Sequence, residues 1–287
     1  MRRFVWIGLG AALFLASFWL GLMWSFPGAA LAGYLASQWR APGLSVQLAP
    51  VRFTGWALHS DTLQVRAAGT PSASLLALTD LSIPVLRLPG GVALHATLGR
   101  TGRLNAEWPW SGGQLDIRSA NLNLDDIPAL SLLHGIAMRG QVSMQAHLAG
   151  PLPAPGDPQG VLPDGTISAH AEDVQLSQLN VAGTALPPVR LRDLTLRART
   201  GRSVAVEGLS FAGDVQGSVT GTIVPEWADP LNSRLNLRVT TTLDAAWMNQ
   251  LGALRAVLQS LMHGDRLETM LTGTLRAPNL QPVTGSP

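Results

Sequence analysis

The chain has 287 residues, with 20 basic residues that are all arginine, 18 Asp plus Glu, 9 Trp, a single Tyr and no Cys. Missing cysteine excludes disulfides, thiolate metal sites and thiol chemistry together. With Arg2 and Arg3 set aside, arginines and acids balance at 18 each, so the isoelectric point near 10.3 reflects the absence of lysine, and the chain carries no electrostatic footprint for nucleic acid.

Phe4 to Phe26 is a run of 23 residues without a charge. As a helix rising ~1.5 Å per residue it reaches roughly 35 Å, enough to cross a hydrocarbon core of about 30 Å. Arg2 and Arg3 stand before it, which predicts residues 1–3 in the cytoplasm, residues 4–26 across a bacterial inner membrane in a single pass, and the bulk in the periplasm. A cleavable signal peptide is the rival, because Ala30-Leu31-Ala32 before Gly33 has the small-x-small form. Signal h-regions are about 7–15 residues long, so the length of the run favours a retained anchor. Gly8, Ala12 and Ala16 recur every fourth residue, a spacing that forms a helix-packing face in a membrane.

Pro27-Gly28 ends this helix. Ala29 to Arg40 is expected as one short helix with Leu31, Tyr34, Leu35 and Trp39 on one side, lying on the membrane surface or capping the β-rich domain after it, so residues 27–41 form a helix and linker. From Leu44 the pattern changes to period two. Leu44, Val46 and Leu48 alternate with Ser45 and Gln47; Leu63, Val65 and Ala67 alternate with Gln64 and Arg66. The same holds for Leu115 and Ile117, for Leu122 and Leu124, for Val142 to Leu148, and for Leu235 to Val239. Such segments, bounded by Gly, Pro, Asn and Asp, predict many short strands with one apolar face. Across Arg192-Asp193 the apolar parity shifts from Val189 and Leu191 to Leu194, Leu196 and Ala198, which predicts a β-bulge or a tight turn.

Helical periodicity is scarce. Asp126 to Leu133 accommodates about two turns with Asp125 or Asp126 as the cap. Asp244 to His263 is the strongest soluble helix, with Trp247, Leu251, Leu254, Leu258 and Leu261 at spacings of three and four and Gly264 as the stop. These two helices belong to an apparent repeat. SANLNLDDIPALSLLHG, ending at Gly135, and RVTTTLDAAWMNQLGALRAVLQSLMHG, ending at Gly264, share the order strand, Asp, leucine-rich helix, His-Gly. The expected organisation is a β module over residues 42–150, a Pro/Gly-rich junction over 151–164, a second β module over 165–278 and a flexible tail over 279–287. The fold class is mainly β: an amino-terminal transmembrane helix followed by repeat-related, mostly antiparallel curved sheets with one or two short helices.

A search for chemistry finds no catalytic, cofactor-binding or metal-ligating set. Asp125-Asp126 sits where acids cap a helix. His59, His95, His134, His147, His170 and His263 are scattered, with no pair at i, i+4. Gly217 to Gly221 spells GxSxG but runs on as strand into Thr222-Ile223-Val224, whereas a nucleophile elbow needs a helix after it. Trp56, Trp108, Trp110, Trp227 and Trp247 suit packing before a sugar platform or a protein contact, and Trp108-Pro-Trp110 favours an extended segment. The chain is expected not to be an enzyme and to bind no cofactor and no metal.

Several phrases taken in order resemble a known family: an Arg-capped span ending in Phe-Pro, GLSVQLAPV, ANLNLDDIPAL, AHLAG, FAGDVQGSVTGTI and a closing LTGTLRAPNL. Together they resemble the bacterial type II secretion system protein N family, and the repeat is more distantly similar to AsmA-like proteins. The first resemblance implies an inner-membrane-anchored periplasmic accessory component of type II secretion, acting on other secretion-system components by protein–protein interaction. The second implies a lipid-binding or lipid-transfer groove with phospholipid as the ligand. The two differ in how the apolar strand faces are covered: sheets closing on each other as a sandwich or barrel, or curving into an open groove.

Overall fold

Alternation from Leu44 onward becomes one continuous antiparallel meander. The computed structural model describes residues 27–38, 44–67, 74–85, 90–109, 113–127, 137–150, 163–178, 180–181, 184–226, 232–252, 255–256, 259, 262 and 266–282. Within these, α1 (Gly28–Gln38) precedes β1 (Leu44–Leu48), β2 (Arg52–Thr54), β3 (Ala57–Ala67), β4 (Ser74–Pro84), β5 (Gly91–Leu98), β6 (Gly102–Pro109) and β7 (Gln114–Asn123). A 3-10 turn over Leu124–Asp126 leads to β8 (Ala137–Ala149), β9 (Asp164–Ser177), β10 (Asn180–Val181), β11 (Thr184–Ala185), β12 (Val189–Thr200), β13 (Val204–Gly213), β14 (Val215–Val224) and β15 (Arg234–Leu243). The described residues close with α2 (Ala245–Asn249), β16 (Arg266–Thr274) and β17 (Pro278–Pro282), so the first residues of the expected flexible tail, 279–282, are instead a paired strand.

Among the described residues the sheet has 15 strands in near-sequential order, from β1 through β3 to β9, then β12 to β17, with β2 on β3 and β10–β11 as a separate small hairpin. The fold is therefore mainly β, a curved antiparallel sheet with two short helices. β8 pairs with β9 from Ala137↔Ser177 to Ala149↔Asp164, so both expected modules lie in one sheet, joined across the Pro/Gly-rich segment. Extensive strand contacts among the described residues are confined to neighbours in this ladder, β12 and β14 on either side of β13 excepted. Neither a second layer nor a barrel closure is formed there.

Apolar residues hold one side of this sheet throughout. Val46, Val65 and Leu76 form one rung and Leu48, Leu63, Leu78 and Leu98 the next. The parity shift read at Arg192-Asp193 is a register irregularity between Leu191 and Asp193 of β12 against β13. Buried side chains gather in three clusters on the apolar side. Leu63, Leu78, Leu81, Ala96, Leu98 and Leu122 form the first. Ala171, Val174, Val189 and Leu191 with Trp247, Met248 and Leu251 form the second, and Val206, Val219, Leu235 and Leu237 the third.

The helices expected over Ala29–Arg40 and Asp244–His263 form with corrected limits. α1 buries its small residues, Gly28 and Ala32, while Tyr34 is exposed. The Val51 amide donates to the Gly28 carbonyl at 3.2 Å, and a Cβ on Gly28 would overlap the Val51 carbonyl, so close approach, not a leucine stripe, seats this helix beside β1. The helix expected over Asp244–His263 is interrupted. Asp244 caps α2 through its carboxylate, which accepts from the amides of Ala246 and Trp247, but Gln250–Gly252 is a turn with Gly252 at φ 56. Only a residue that tolerates a left-handed backbone stops a helix this way, and leucine periodicity continuing beyond it gives no sign of the break. The segment after β7 is the 3-10 turn with Ile127 extended; residues 128–136 lie outside the described residues.

Residues 1–26, with the expected membrane span and its Gly8, Ala12 and Ala16 face, also lie outside them, as do Trp110, Trp227, His134 and His263. No helix among the described residues is long and apolar enough to cross a membrane. Because Trp247 fastens α2 onto Ala171, Val174, Val189 and Leu191, Trp247→Ala should lower stability by about 3 kcal/mol. A urea titration followed by circular dichroism checks this, with the midpoint expected to fall.

Candidate functional site

One rung shows what the sheet presents. Ala96, Leu104, Ser119, Met144, Ala169, Leu196, Leu209, Val219, Val239 and Thr269 face each other in succession across ten strands. At about 4.8 Å per strand this is a strip of roughly 43 Å along the arc. Leu104, Met144, Ala169, Leu196, Leu209 and Val239 in it are only half-buried, as are Ile117 one rung along and Leu115 two. Helical cover among the described residues lies toward one end of the strands, where α2 and the turn after β7 bring Trp247, Met248, Leu251, Leu124 and Ile127 onto the apolar side. A cavity of about 600 Å³ lies beside α2, lined by Leu243, Met248 and Met262 and by the polar Asn249, Arg255 and Gln259.

Among the described residues two polar side-chain atoms are buried without a partner, the Ser119 hydroxyl and the Trp247 indole nitrogen. Both residues belong to the apolar side, Ser119 between Leu104 and Met144. Leaving such a group unpaired costs about 1–3 kcal/mol, a penalty that a polar group on an occupant would offset.

The opposite side is polar and self-paired. His95 Nδ1 lies 2.6 Å from Asn105 Oδ1, His147 bonds Asp116, and His170 Nε2 lies 3.1 Å from Glu172. Arg199 pairs with Glu207 at 3.0 Å and Arg238 with Glu268 at 3.4 Å. Each is an exposed cross-strand or near-neighbour pair, worth little individually.

Folding does bring together groups that the sequence left apart. Glu107 and Asp116 face each other across β6–β7 in a shallow cavity of about 250 Å³ with His95, Asn105 and Arg118, and an adjoining one of about 420 Å³ reaches Trp108 and Pro109. His147 is 31 residues from Asp116 in sequence, and only strand register places them side by side. A general acid needs a raised carboxyl. Hydrogen bonding from His147, helped by Gln114 and the nearby Arg118 charge, instead holds the Asp116 carboxyl below its ordinary value. No group of three or more His, Asp or Glu among the described residues is placed to hold a metal ion. Ser218 of the GxSxG phrase lies mid-strand in β14, facing Ser210 and Thr240, which is strand geometry and not an elbow.

Asp126, expected as a helix cap, instead ties two turns. It accepts from the Arg100 backbone amide at 3.0 Å and from Asn123 at 3.3 Å, and the Arg100 bond lowers its pKa. No family model matches the chain, and no curated protein or solved structure is found similar to it.

Both lowered carboxyls make the same signed prediction. Their contribution is complete above the ordinary value of 3.8 and is lost as pH falls through the depressed folded value. Acid unfolding of an Asp116→Asn, Asp126→Asn double variant should therefore depend less steeply on pH below about 4 than that of the parent, as followed by tryptophan fluorescence. His95→Ala and His147→Ala should each leave cellular function unchanged. Loss of function in a folded, abundant variant would point to chemistry at the Glu107–Asp116 dish.

Proposed function

We propose that this chain is an accessory component of the bacterial type II secretion system, held in the inner membrane by Phe4–Phe26, that works by non-covalent interaction in the periplasm. What supports this is the placement of the phrases that carry the resemblance. GLSVQLAPV covers β1, ANLNLDD runs from β7 into its turn, AHLAG closes β8, FAGDVQGSVTGTI spans β13–β14 and LTGTLRAPNL makes the β16–β17 hairpin. They mark successive parts of one sheet. Each arm of the apparent repeat is likewise a strand that runs to a helical segment on the apolar side and returns as its neighbour, β7 to β8 and β15 to β16.

A second reading is favoured by the half-buried apolar strip: the sheet is an AsmA-like groove that takes phospholipid acyl chains. Water contact with apolar surface costs about 25 cal/mol per Å², and acyl chains laid along the strip would remove it. The two readings are compatible, since a lipid-bound envelope protein is able to serve a secretion machine.

Deleting the chain should reduce export of folded secretion substrates and raise their periplasmic pool, measured by fractionation; unchanged export would defeat the secretion role. A photo-crosslinking residue at Ile117, on the apolar side, should yield phospholipid adducts in cells, whereas one at Arg118, on the polar side, should not. Absence of adducts at Ile117 in folded protein removes the groove.

A further inference from the structure

Five large apolar side chains are exposed among the described residues: Tyr34 lies on α1 and Leu280 within the edge strand β17, while Trp56, Val224 and Leu275 share one end of the sheet. Strand ends fall into two sets, because every ladder is antiparallel and nearly every connection is a hairpin. One end carries the β2–β3 turn at Gly55-Trp56, the start of β5, the end of β6 at Trp108-Pro109, the link from β14 to β15 and the β16–β17 turn at Leu275. Trp56 is 57% exposed there, and Val224 and Leu275 are 39% exposed each. Val224 faces Arg234, which faces Thr274, and the Leu275 amide donates to the Ser233 carbonyl, so Val224 and Leu275 form adjacent tips. Trp56 stands on the first edge hairpin and Leu275 on the last. At the other end the described turn residues include Arg100, Asn121, Asp125, Gln178 and Asp244, all exposed.

The chain enters the domain at the apolar end. Gly28 bonds Val51 just before β2, at most about 16 Å of extended chain from Trp56. α1 then packs along β1 and leaves residue 38 to return at Leu44, so its first residue points toward the apolar end. Residues 4–26, immediately before it, are the uncharged run.

We propose that the end of the sheet carrying Trp56, Val224 and Leu275 sits in the headgroup interface of the membrane that holds Phe4–Phe26, so that the apolar strip opens onto the bilayer. The placement rests on the anchored reading above. Tryptophan is favoured at the headgroup level, where its ring is half apolar and its N–H is solvated. Charge does not favour either sign here: Arg202, Arg234 and Arg276 stand at this end with Asp164, Glu226, Glu107 and Asp116, so the apolar side chains carry the placement. The described helical cover lies toward the far ends of the strands. An acyl chain leaving the bilayer at Trp56 or Leu275 therefore meets the uncovered part of the apolar side first and crosses no water.

The cysteine-free chain permits a direct test. Full-length variants Trp56→Cys, Val224→Cys, Leu275→Cys, Arg100→Cys, Gln178→Cys and Leu13→Cys are each labelled with one environment-sensitive fluorophore and reconstituted in phosphatidylethanolamine–phosphatidylglycerol vesicles. A nitroxide quencher is attached to the lipid near the headgroup. Labels at 56, 224 and 275 should blue-shift and be quenched, while those at 100 and 178 stay water-like. Water-like labels at 56, 224 and 275 with a lipid-buried label at 13 overturn the placement and leave the anchor standing. A water-like label at 13 overturns the anchored reading and, because the placement rests on it, the proposal as stated, even where labels at 56 and 275 are quenched. Quenching confined to 100 and 178 reverses the orientation and overturns the proposal.

Discussion

One constraint governs this sheet: its apolar residues must stay on one side while the strands bend. In a strand, side chains alternate, so inserting one residue sends everything beyond it to the other face. Here the pattern advances by three instead of two where the strands bend, from Ser60 to Leu63, Leu78 to Leu81, Ser119 to Leu122, Ala171 to Val174, Leu191 to Leu194 and Val206 to Leu209. Several of the skipped positions carry Asp or Asn in the left-handed region, Asp80 at φ 51, Asn121 at φ 55 and Asp173 at φ 50. These types tolerate that backbone far better than β-branched residues. Each bulge bends and twists its strand, and many of them in neighbouring strands turn a long flat ladder into a curved one with its hydrophobic side intact.

An open sheet has two edges, and this one manages both. At the first, α1 packs along β1, brought close by Gly28 and Ala32. At the last, Thr274 and Ala277 exchange hydrogen bonds in the turn, so along β17 the backbone groups of Asn279 and Gln281 point to β16 and those of Pro278, Leu280 and Pro282 point outward. Two of these three are prolines, which have no N–H to offer an incoming strand. The outward edge is blunted against uncontrolled pairing without any covering element.

Period-two alternation made the strands legible, as in Leu44, Val46 and Leu48, which in the fold meet Ala67, Val65 and Leu63. The parity shift in Val189 to Ala198 was readable as a bulge, and the same three-residue step in Leu78–Leu81 and Ala171–Val174 held the same information. Two other things were not local. His147 and Asp116 meet only through the register of β7 and β8, and alternation does not encode register between distant strands. The break at Gly252 is hidden because leucine periodicity continues on both sides of it. The choice between a closed sandwich and an open sheet is hidden for a deeper reason: an apolar strand face looks the same whether its cover is another sheet, a helix or an acyl chain.

A one-layer sheet has no deep interior. No large described side chain is less than 2% exposed, so cross-strand pairs and ladder hydrogen bonds must carry a larger share of stability than in a two-layer domain. Such a fold stands close to the point where anything bound to its apolar side matters. An occupant that binds the folded sheet and not the unfolded chain adds RT ln(1 + [L]/Kd), about 2.7 kcal/mol at a hundredfold excess over Kd, which is a large part of the roughly 5–15 kcal/mol that holds a domain together. The uneven cover makes this directional. α2 and the turn after β7 already shield one end of the strands, so the gain from an occupant is greatest toward the other, where Leu115, Ile117 and Trp108 remain half-buried. Stability and binding are thus coupled through the same surface: the part of the sheet that lacks helical cover is the part where an acyl chain or a partner's apolar segment would remove the most water.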